Sequence, residues 1–558
     1  MAISSQNGQV SARSILAAYP RLIPHPWIFL SALLIVVAFP PWGLTFLLPI
    51  CIAPWFIFLR QTHSAKTAAA QGVWLSFFMT LGGYHWVAYV LQQFAHLSMP
   101  LAILGLFLFG TVCQPQFWIF GPLLVRLKLN RRVGLLTWIA LGLFYTGMDW
   151  WLPKLWVDTL GHAFHQSKIW REAADLGGAW LLTFLVFAMN WVAADGFEAW
   201  KSREAGFFRR HRASLITVAT LILAWGTYGY LRADFLKKYF VQPKKFRVAA
   251  IQANIGDFDK VAAEQGVRGA ADKIVQTYLE MSDEALKATE KPDLIVWPET
   301  AYPSTFRTPA TTGEKLRDDA VDHFVRTRQV ATAFGGYDRD SKRDFNSFFL
   351  LTPRYTDPSA QDIRNEPDTQ IYHKHVLLMF GETIPGMDSI EWLRNAFPQV
   401  GNFGRGPGPE VMMVMTKNPQ APLLHISPVI CYEILFPWYA IEGARKGSQL
   451  IINITNDSWY GKSSEPYLHL ALSTFRSLET RIPQFRATNT GITALIEPTG
   501  DIQKEGRLFE KEIIHAVVGT QAAPWTLMKA WGDWFGKTAF LLGIALLLAT
   551  RLVQKLRS

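Results

Sequence analysis

Three cysteines occur in 558 residues, at Cys51, Cys113 and Cys431, too few for a disulfide framework. The first two fall inside apolar runs that belong in lipid. Cys431 ends the apolar run Leu423-Leu-His-Ile-Ser-Pro-Val-Ile430 and is followed by Tyr432-Glu433 and a helix-like segment. A strand-to-turn junction of this kind exposes a side chain at a strand end and leaves the next main-chain N–H groups free to receive an oxyanion. A lone thiol is either a small buried apolar group or a nucleophile. With an ordinary pKa of about 8.5 it needs a base or a cation beside it to act as the latter.

Four residues compete for those roles. In an extended strand His425 lies six residues from Cys431, roughly 20 Å at about 3.3 Å per residue, which excludes a dyad within the strand. Spacing does not exclude His469, although it reads more readily as a surface or capping histidine. Glu299 directly follows Leu294-Ile-Val-Trp-Pro298, a hydrophobic strand, and the ends of adjacent parallel strands converge on one rim. Lys374, in Tyr372-His-Lys-His-Val376, alternates with His373 and His375 along a strand, so they face opposite ways. An ammonium in a cleft would lower the thiol pKa and stabilise an oxyanion.

The elements that must position these residues divide the chain. Between 233 and 535, strand candidates lie at 246–252, 293–297, 330–337, 345–352, 370–378, 423–431, 449–455 and 492–497. Helical patterns lie at 259–290, 313–329, 434–446 and 465–482. This alternation predicts an α/β layered domain. A Pro- and Gly-rich stretch, 383–410, reads as a long loop whose Met387, Ile390, Trp392, Leu393, Phe397 and Phe403 could cover a site or enter lipid.

Half of all residues are apolar and mean hydropathy is +0.12, which the charged stretch alone cannot explain. Apolar spans near 25–40, 43–60, 69–92, 100–126, 133–151, 173–195 and 214–232, with an eighth at 536–552, predict transmembrane helices. No small-residue cleavage site separates the first two, so a cleavable signal peptide is not expected. The predicted organisation is a cytoplasmic segment 1–24, a membrane domain of seven transmembrane helices over 25–232, a catalytic domain over 233–535, and a C-terminal transmembrane helix and cytoplasmic tail over 536–558.

The formal charge of +11 comes from basic residues clustered beside apolar spans, where anionic lipid attracts them; nucleic-acid binding is not expected. Arg13, Arg21, Arg60, Lys66, Arg126, Lys128, Arg131, Arg132, Arg203, Arg209, Arg210, Arg212, Arg551, Lys555 and Arg557 all fall on one predicted side, which the positive-inside rule makes cytoplasmic. The segment 233–535 then lies outside. Asp149 and Asp175, near span ends, and the groups Trp150-Trp151 and Trp531 to Trp534 are expected at the membrane interface.

The ordered set Trp297-Pro298-Glu299, Lys374 with Phe380-Gly381-Glu382, and Cys431-Tyr432-Glu433 resembles the Glu-Lys-Cys triad of the nitrilase superfamily. The spans on both sides, with Asn453-Ile-Thr-Asn456-Asp457-Ser458-Trp459-Tyr460-Gly461 and Arg486-Ala-Thr-Asn489-Thr-Gly491, narrow the resemblance to the apolipoprotein N-acyltransferase family. It covers essentially the whole chain. The resemblance implies an α-β-β-α sandwich outside the cytoplasm, on the periplasmic face of a bacterial inner membrane.

It further implies ping-pong transfer of a fatty acyl chain from a phospholipid, phosphatidylethanolamine being the expected donor, through a Cys431 thioester. The acceptor would be the N-terminal amine of a diacylglyceryl-cysteine apolipoprotein, in the last step of lipoprotein maturation. Glu299 would be the base, Lys374 and the Tyr432 N–H the oxyanion donors, and Glu382, Tyr432 and Glu433 supporting or substrate-lining residues. No cofactor or metal is implied, and a monomer is expected. One departure stands out: family members often carry Trp after the Lys that follows Gln252-Ala-Asn254-Ile255, whereas here Lys260 precedes Val261.

Overall fold

The computed structural model describes residues 23–557 apart from 94–96, 132, 204–205, 241–244, 257–259, 261, 264–265, 268, 309–310, 342, 355–365, 380, 385, 387–389, 391 and 393–402. Two compact units are present: residues 1–154, 183–222 and 536–558 form one, and Leu155–Leu182 with Leu223–Phe535 form the other.

The first unit is helical, and its sequence interrupts several helices that hydropathy alone reads as continuous. The predicted span 43–60 is a short 3-10 segment, Thr45–Ile50, followed by a helix, Ala53–Gln61, with Pro49 and Pro54 at the break. Proline removes a donor and clashes with the preceding turn. The freed main-chain groups are satisfied by one buried side chain. Asn190 accepts from the Ile52 and Ala53 N–H groups at 2.7 and 2.9 Å and donates to the Leu48 carbonyl at 2.6 Å.

The predicted span 69–92 is two helices, Ala65–Gly83 and Trp86–Gln93, and 100–126 is a pair bent by 42° where Pro115 opens the second helix. Among the described residues three helices are long and apolar enough to cross a membrane, 170–201, 212–239 and 535–553, with a fourth if the bent pair counts as one. Cys51 and Cys113 are buried in this unit. Asp149, at a helix end, is buried and paired with Lys154 at 2.5 Å.

The second unit holds two six-stranded sheets. In chain order the strands are β1 (Lys245–Gln252), β2 (Leu294–Val296), β3 (Ala331–Arg339), β4 (Asp344–Thr352), β5 (Asp368–His373), β6 (Met412–Met415), β7 (Leu423–Ile430), β8 (Leu450–Thr455), β9 (Gln484–Thr488), β10 (Ala494–Ile496), β11 (Ile502–Glu505) and β12 (Glu512–Gly519). The first sheet runs β12-β1-β2-β3-β4-β5 and the second β11-β10-β9-β8-β7-β6. Each has a parallel trio at its centre, β1-β2-β3 and β7-β8-β9, with antiparallel neighbours outside.

Helices Ala270–Ala285 and Thr312–Arg328 bury Ile274, Tyr278, Val321 and Phe324 against the first sheet, with Trp297, Phe334 and Phe349. Helix Glu465–Thr480 packs Leu470 with Ala494 and Ile496 of the second sheet. The fold is therefore the expected α/β layered one.

The strand reading is corrected at several places: β6, β9, β11 and β12 lie where no strand was expected. The strand predicted over 370–378 stops at His373, so Lys374 is the first residue beyond β5 rather than one face of an alternating ladder. Asp175 is buried between arginines, Arg232 at 2.7 Å and Arg481 at 2.9 Å, with Glu172 also on Arg481 at 2.7 Å. These pairs tie the segment 155–182 to Arg232 and to the C-terminal end of the helix Glu465–Thr480 within this unit.

Candidate active site

At the end of β7 the chain turns sharply. Cys431 adopts φ +50°, a left-handed conformation that costs a side-chain-bearing residue about 1–3 kcal/mol and persists only where the surroundings impose it. Here the imposing group is Glu433, fully buried two residues on. Its carboxylate accepts from the Ile430 N–H at 2.9 Å, from the His375 and Val376 N–H groups at 2.7 and 3.1 Å, and from the Tyr372 hydroxyl at 2.7 Å. Burial pushes the Glu433 carboxyl above the usual carboxylate range, and these donors offset part of that. One side chain thus clasps the thiol's turn in the second sheet to the chain leaving β5 in the first.

Glu299 is set by what lies beneath it. Trp297 is buried, stacks on Tyr278 at 5.2 Å and donates to Ser282 at 2.9 Å. A Cβ on Gly335 would stand 2.6 Å from the Glu299 Cα, so only glycine lets β3 pass so close. The Glu299 carboxylate accepts from the Asn456 N–H at 3.0 Å, the Asn346 side-chain amide at 2.9 Å and Lys374 Nζ at 3.2 Å. Lys374 Nζ also lies 2.9 Å from Glu382, which accepts from Asn346 at 2.8 Å and from the Leu378 N–H at 2.8 Å. The ammonium is held between two carboxylates in a site from which water is nearly excluded. Lys260 reaches the same place from another direction, 3.1 Å from the Thr300 hydroxyl.

Burial would drive the Lys374 ammonium to lose its proton, but the fields of Glu299 and Glu382 outweigh it and hold the group well above the ordinary lysine range. The Cys431 thiol is pushed well up, first by burial and then by the Glu299 carboxylate, with Lys374 pulling the other way. At rest the sulfur keeps its proton, next to a carboxylate and a permanent cation.

A second buried network lies at the ends of β8 and β9. Asp457 takes Arg486 on one oxygen at 2.8 Å and His469 on the other at 3.1 Å. A side chain on Gly491 would collide with Asp457, its Cβ 2.2 Å from Oδ2. His469, expected at the surface, is completely buried here and lies against the main chain of Cys431. A histidine read alone as polar becomes a core residue because Asp457 and Arg486 arrive from other elements. Asp457, Glu465 and His469 bring possible ligand atoms within 4.8 Å of one another. The Arg486 guanidinium, 3.0 Å from His469 Nδ1, already occupies a cation's place beside them.

The structure thus brings Glu299, Lys374, Glu382 and Glu433 together around the Cys431 turn. The Tyr432 hydroxyl instead donates to the Leu155 carbonyl, and its ring packs on Trp156 and Phe436. His425 bonds Gln449 at the far end of β7. Sequence reasoning missed Asn346, which bridges the two carboxylates, and gave no role to Asp457 or Arg486 although both stand in motifs that drew attention. In the loop 383–410, Ile390 and Trp392 are exposed and Phe403 stacks on Tyr337 at 5.8 Å. Met387, Leu393 and Phe397, like Val261, lie outside the described residues.

Residues 247–524 match the carbon-nitrogen hydrolase family, and residues 31–192 match the apolipoprotein N-acyltransferase N-terminal domain. The chain is 31% identical over 539 residues to the apolipoprotein N-acyltransferase of Bdellovibrio bacteriovorus, an alignment covering 91% of this chain and 90% of that one. It is 26% identical to the enzyme of the same name from Geobacter metallireducens, over 88% of each chain. It is also 26% identical to that of Rickettsia typhi, over 93% of this chain and 96% of the other.

Proposed function

The chain belongs to the apolipoprotein N-acyltransferase family, and from that membership we propose that it transfers a fatty acyl chain from a phospholipid to the α-amine of a diacylglyceryl-cysteine apolipoprotein, through a thioester on Cys431. It is an acyltransferase with a carbon-nitrogen hydrolase domain. The observation that carries the finer reading is the buried Lys374 ammonium, 3.2 Å from Glu299 and 2.9 Å from Glu382, beside a thiol held protonated.

In the first half-reaction Glu299 takes the thiol proton as sulfur attacks the ester carbonyl. Lys374 and the Tyr432 N–H hold the oxyanion. Collapse breaks the C–O bond, and the proton on Glu299 passes to the departing lysophospholipid. In the second, the amine attacks the thioester, Glu299 takes the amine's proton, a C–N bond forms, and the thiolate leaves and is reprotonated from Glu299. Burial serves both halves by keeping water from the thioester.

Phosphatidylethanolamine is the donor we favour. A location in a bacterial inner membrane, with this domain facing the periplasm, fits the Lys and Arg distribution and the long apolar helices; we take the chain to act as a monomer.

Incubating the purified full-length protein with phosphatidylethanolamine and recording intact mass tests the reading. One added acyl group, absent in Cys431→Ala, is expected, and a diacylglyceryl-cysteine peptide should discharge it onto its own amine. No adduct, or one that survives Cys431→Ala, sinks the proposal. Free fatty acid released without acylated peptide would make the chain a lipid hydrolase.

A further inference from the structure

Thr455 closes β8 one residue past the last β7–β8 pair, Ile430↔Ile454, and Cys431 is likewise the first residue past that pair, on strands about 4.8 Å apart. It is fully buried. Its hydroxyl stands 3.2 Å from Asp457 Oδ1 and is placed where it favours the Cys431 thiolate. A threonine hydroxyl has a single proton to give, so it cannot donate to both at once. Asp457 can spare it, since Arg486 and His469 remain on its two oxygens at 2.8 and 3.1 Å.

We propose that Thr455 is a further catalytic residue of the acyl transfer put forward above: its O–H points to Asp457 while the sulfur carries a proton or an acyl group, and turns to the sulfur whenever the thiolate forms. The proton stays on Oγ1 throughout, so no bond to Thr455 is made or broken. The thiolate appears twice in each turnover, when Glu299 takes the thiol proton and when the tetrahedral adduct of the amine expels sulfur, and the donor helps at both. The arrangement suits a buried site because a neutral hydroxyl stabilises the anion without a permanent charge to desolvate.

The other groups acting on this sulfur are Glu299 beyond β2, Lys374 beyond β5, and Asp457 and Tyr460 of the turn 457–460, with the His469 ring against its main chain. Losing the Thr455 donor destabilises only the thiolate, so the thiol titration moves to higher pH.

The test measures alkylation of Cys431 by iodoacetamide across pH in the detergent-solubilised full chain, followed by mass spectrometry of the Cys431 peptide. Thr455→Val keeps the branched shape and lacks the hydroxyl. It should slow alkylation at pH 7 about tenfold, the scale of one hydrogen bond to a charged group, and shift the midpoint upward with an unchanged alkaline plateau. Thr455→Ser should stay within about threefold of the native rate. A Thr455→Val profile that superimposes on the native one overturns the proposal. So does one that loses plateau without moving its midpoint, or a Ser variant that behaves like Val. The assay contains no lipid, so a failure here is distinct from a failure of acyl transfer from phospholipid.

Discussion

Two buried polar networks flank Cys431, and each sets a strong cation, Lys374 or Arg486, among two carboxyl groups. Around Lys374 the acids Glu299 and Glu382 both lie within 3.2 Å of the ammonium and share Asn346 as a donor. Around Arg486 only Asp457 is engaged, at 2.8 Å. Among the described residues Glu465 has no hydrogen-bond partner on either oxygen, with His469 Nδ1 3.5 Å away, and burial with the nearby Asp457 charge pushes it well above the carboxylate range. Asp457 is held below that range by Arg486 and His469, whose pull exceeds the cost of its burial. The first network sets Glu299 and Glu382 against Lys374, with Lys260 close by, beside a proton that must move. The second is balanced and fixes the geometry. The difference separates chemistry from scaffolding on two sides of one thiol.

Replacing Lys374 with Met should break this contrast most severely. It leaves two carboxylates facing each other without their cation, a loss of about 3–5 kcal/mol visible as a lower unfolding midpoint, and acyl transfer should vanish with it. An unfolding midpoint equal to the native one would show that the ammonium does not hold the two acids.

Glu299→Gln should cut acyl transfer by about 10²–10⁴-fold, as loss of a general base does, and yet make the thiol easier to ionise. The carboxylate raises the thiol pKa, so without it iodoacetamide alkylation of Cys431 should move to lower pH. An upward shift would contradict the charge assignment.

The smallest effect belongs to Glu465→Gln, which swaps one neutral group for another of the same shape and should change stability at pH 5 by less than about 1 kcal/mol. The sign of its pH dependence follows from the raised carboxyl. Stability that the protonated Glu465 contributes is complete below the ordinary carboxylate range and is lost as pH rises through the elevated value. Unfolding midpoints of the native protein should therefore fall relative to Glu465→Gln as pH rises. Parallel curves would mean that Glu465 titrates normally.

Much of the site is legible in the sequence because strand ends, glycines and turns mark it locally. Glu299 follows an apolar run and a proline, and Cys431 follows another, so both rims can be read from a dozen residues. Lys374 stands out by its type and neighbours, while its strand reads too long because His-Lys-His continues the alternation after the ladder has ended. What could not be read depends on partners far apart in the chain. Asn346 looks like an ordinary strand residue until Glu299 and Glu382 meet on it, and His469 looks exposed until Asp457 and Arg486 surround it. β9 and β11 escape a reading by alternation because charged residues such as Arg486 and Lys504 interrupt short strands, and β6 because it has only four residues, whereas the eight-residue, largely apolar β12 is legible in principle. The helical unit is legible in composition and less so in continuity, since hydropathy averages over the prolines at 49, 54 and 115 that break its helices.

The return of β12 to β1, paired over eight residues from Lys245↔Gly519 to Gln252↔Glu512, has a consequence for synthesis. The ribosome makes the base, the lysine and the thiol in that order, all before the strand that completes the first sheet exists. Until residue 519 has been made, the sheet that carries Glu299 has an open edge along β1, so the nascent chain holds every reactive group of the site without the wall that closes its sheet.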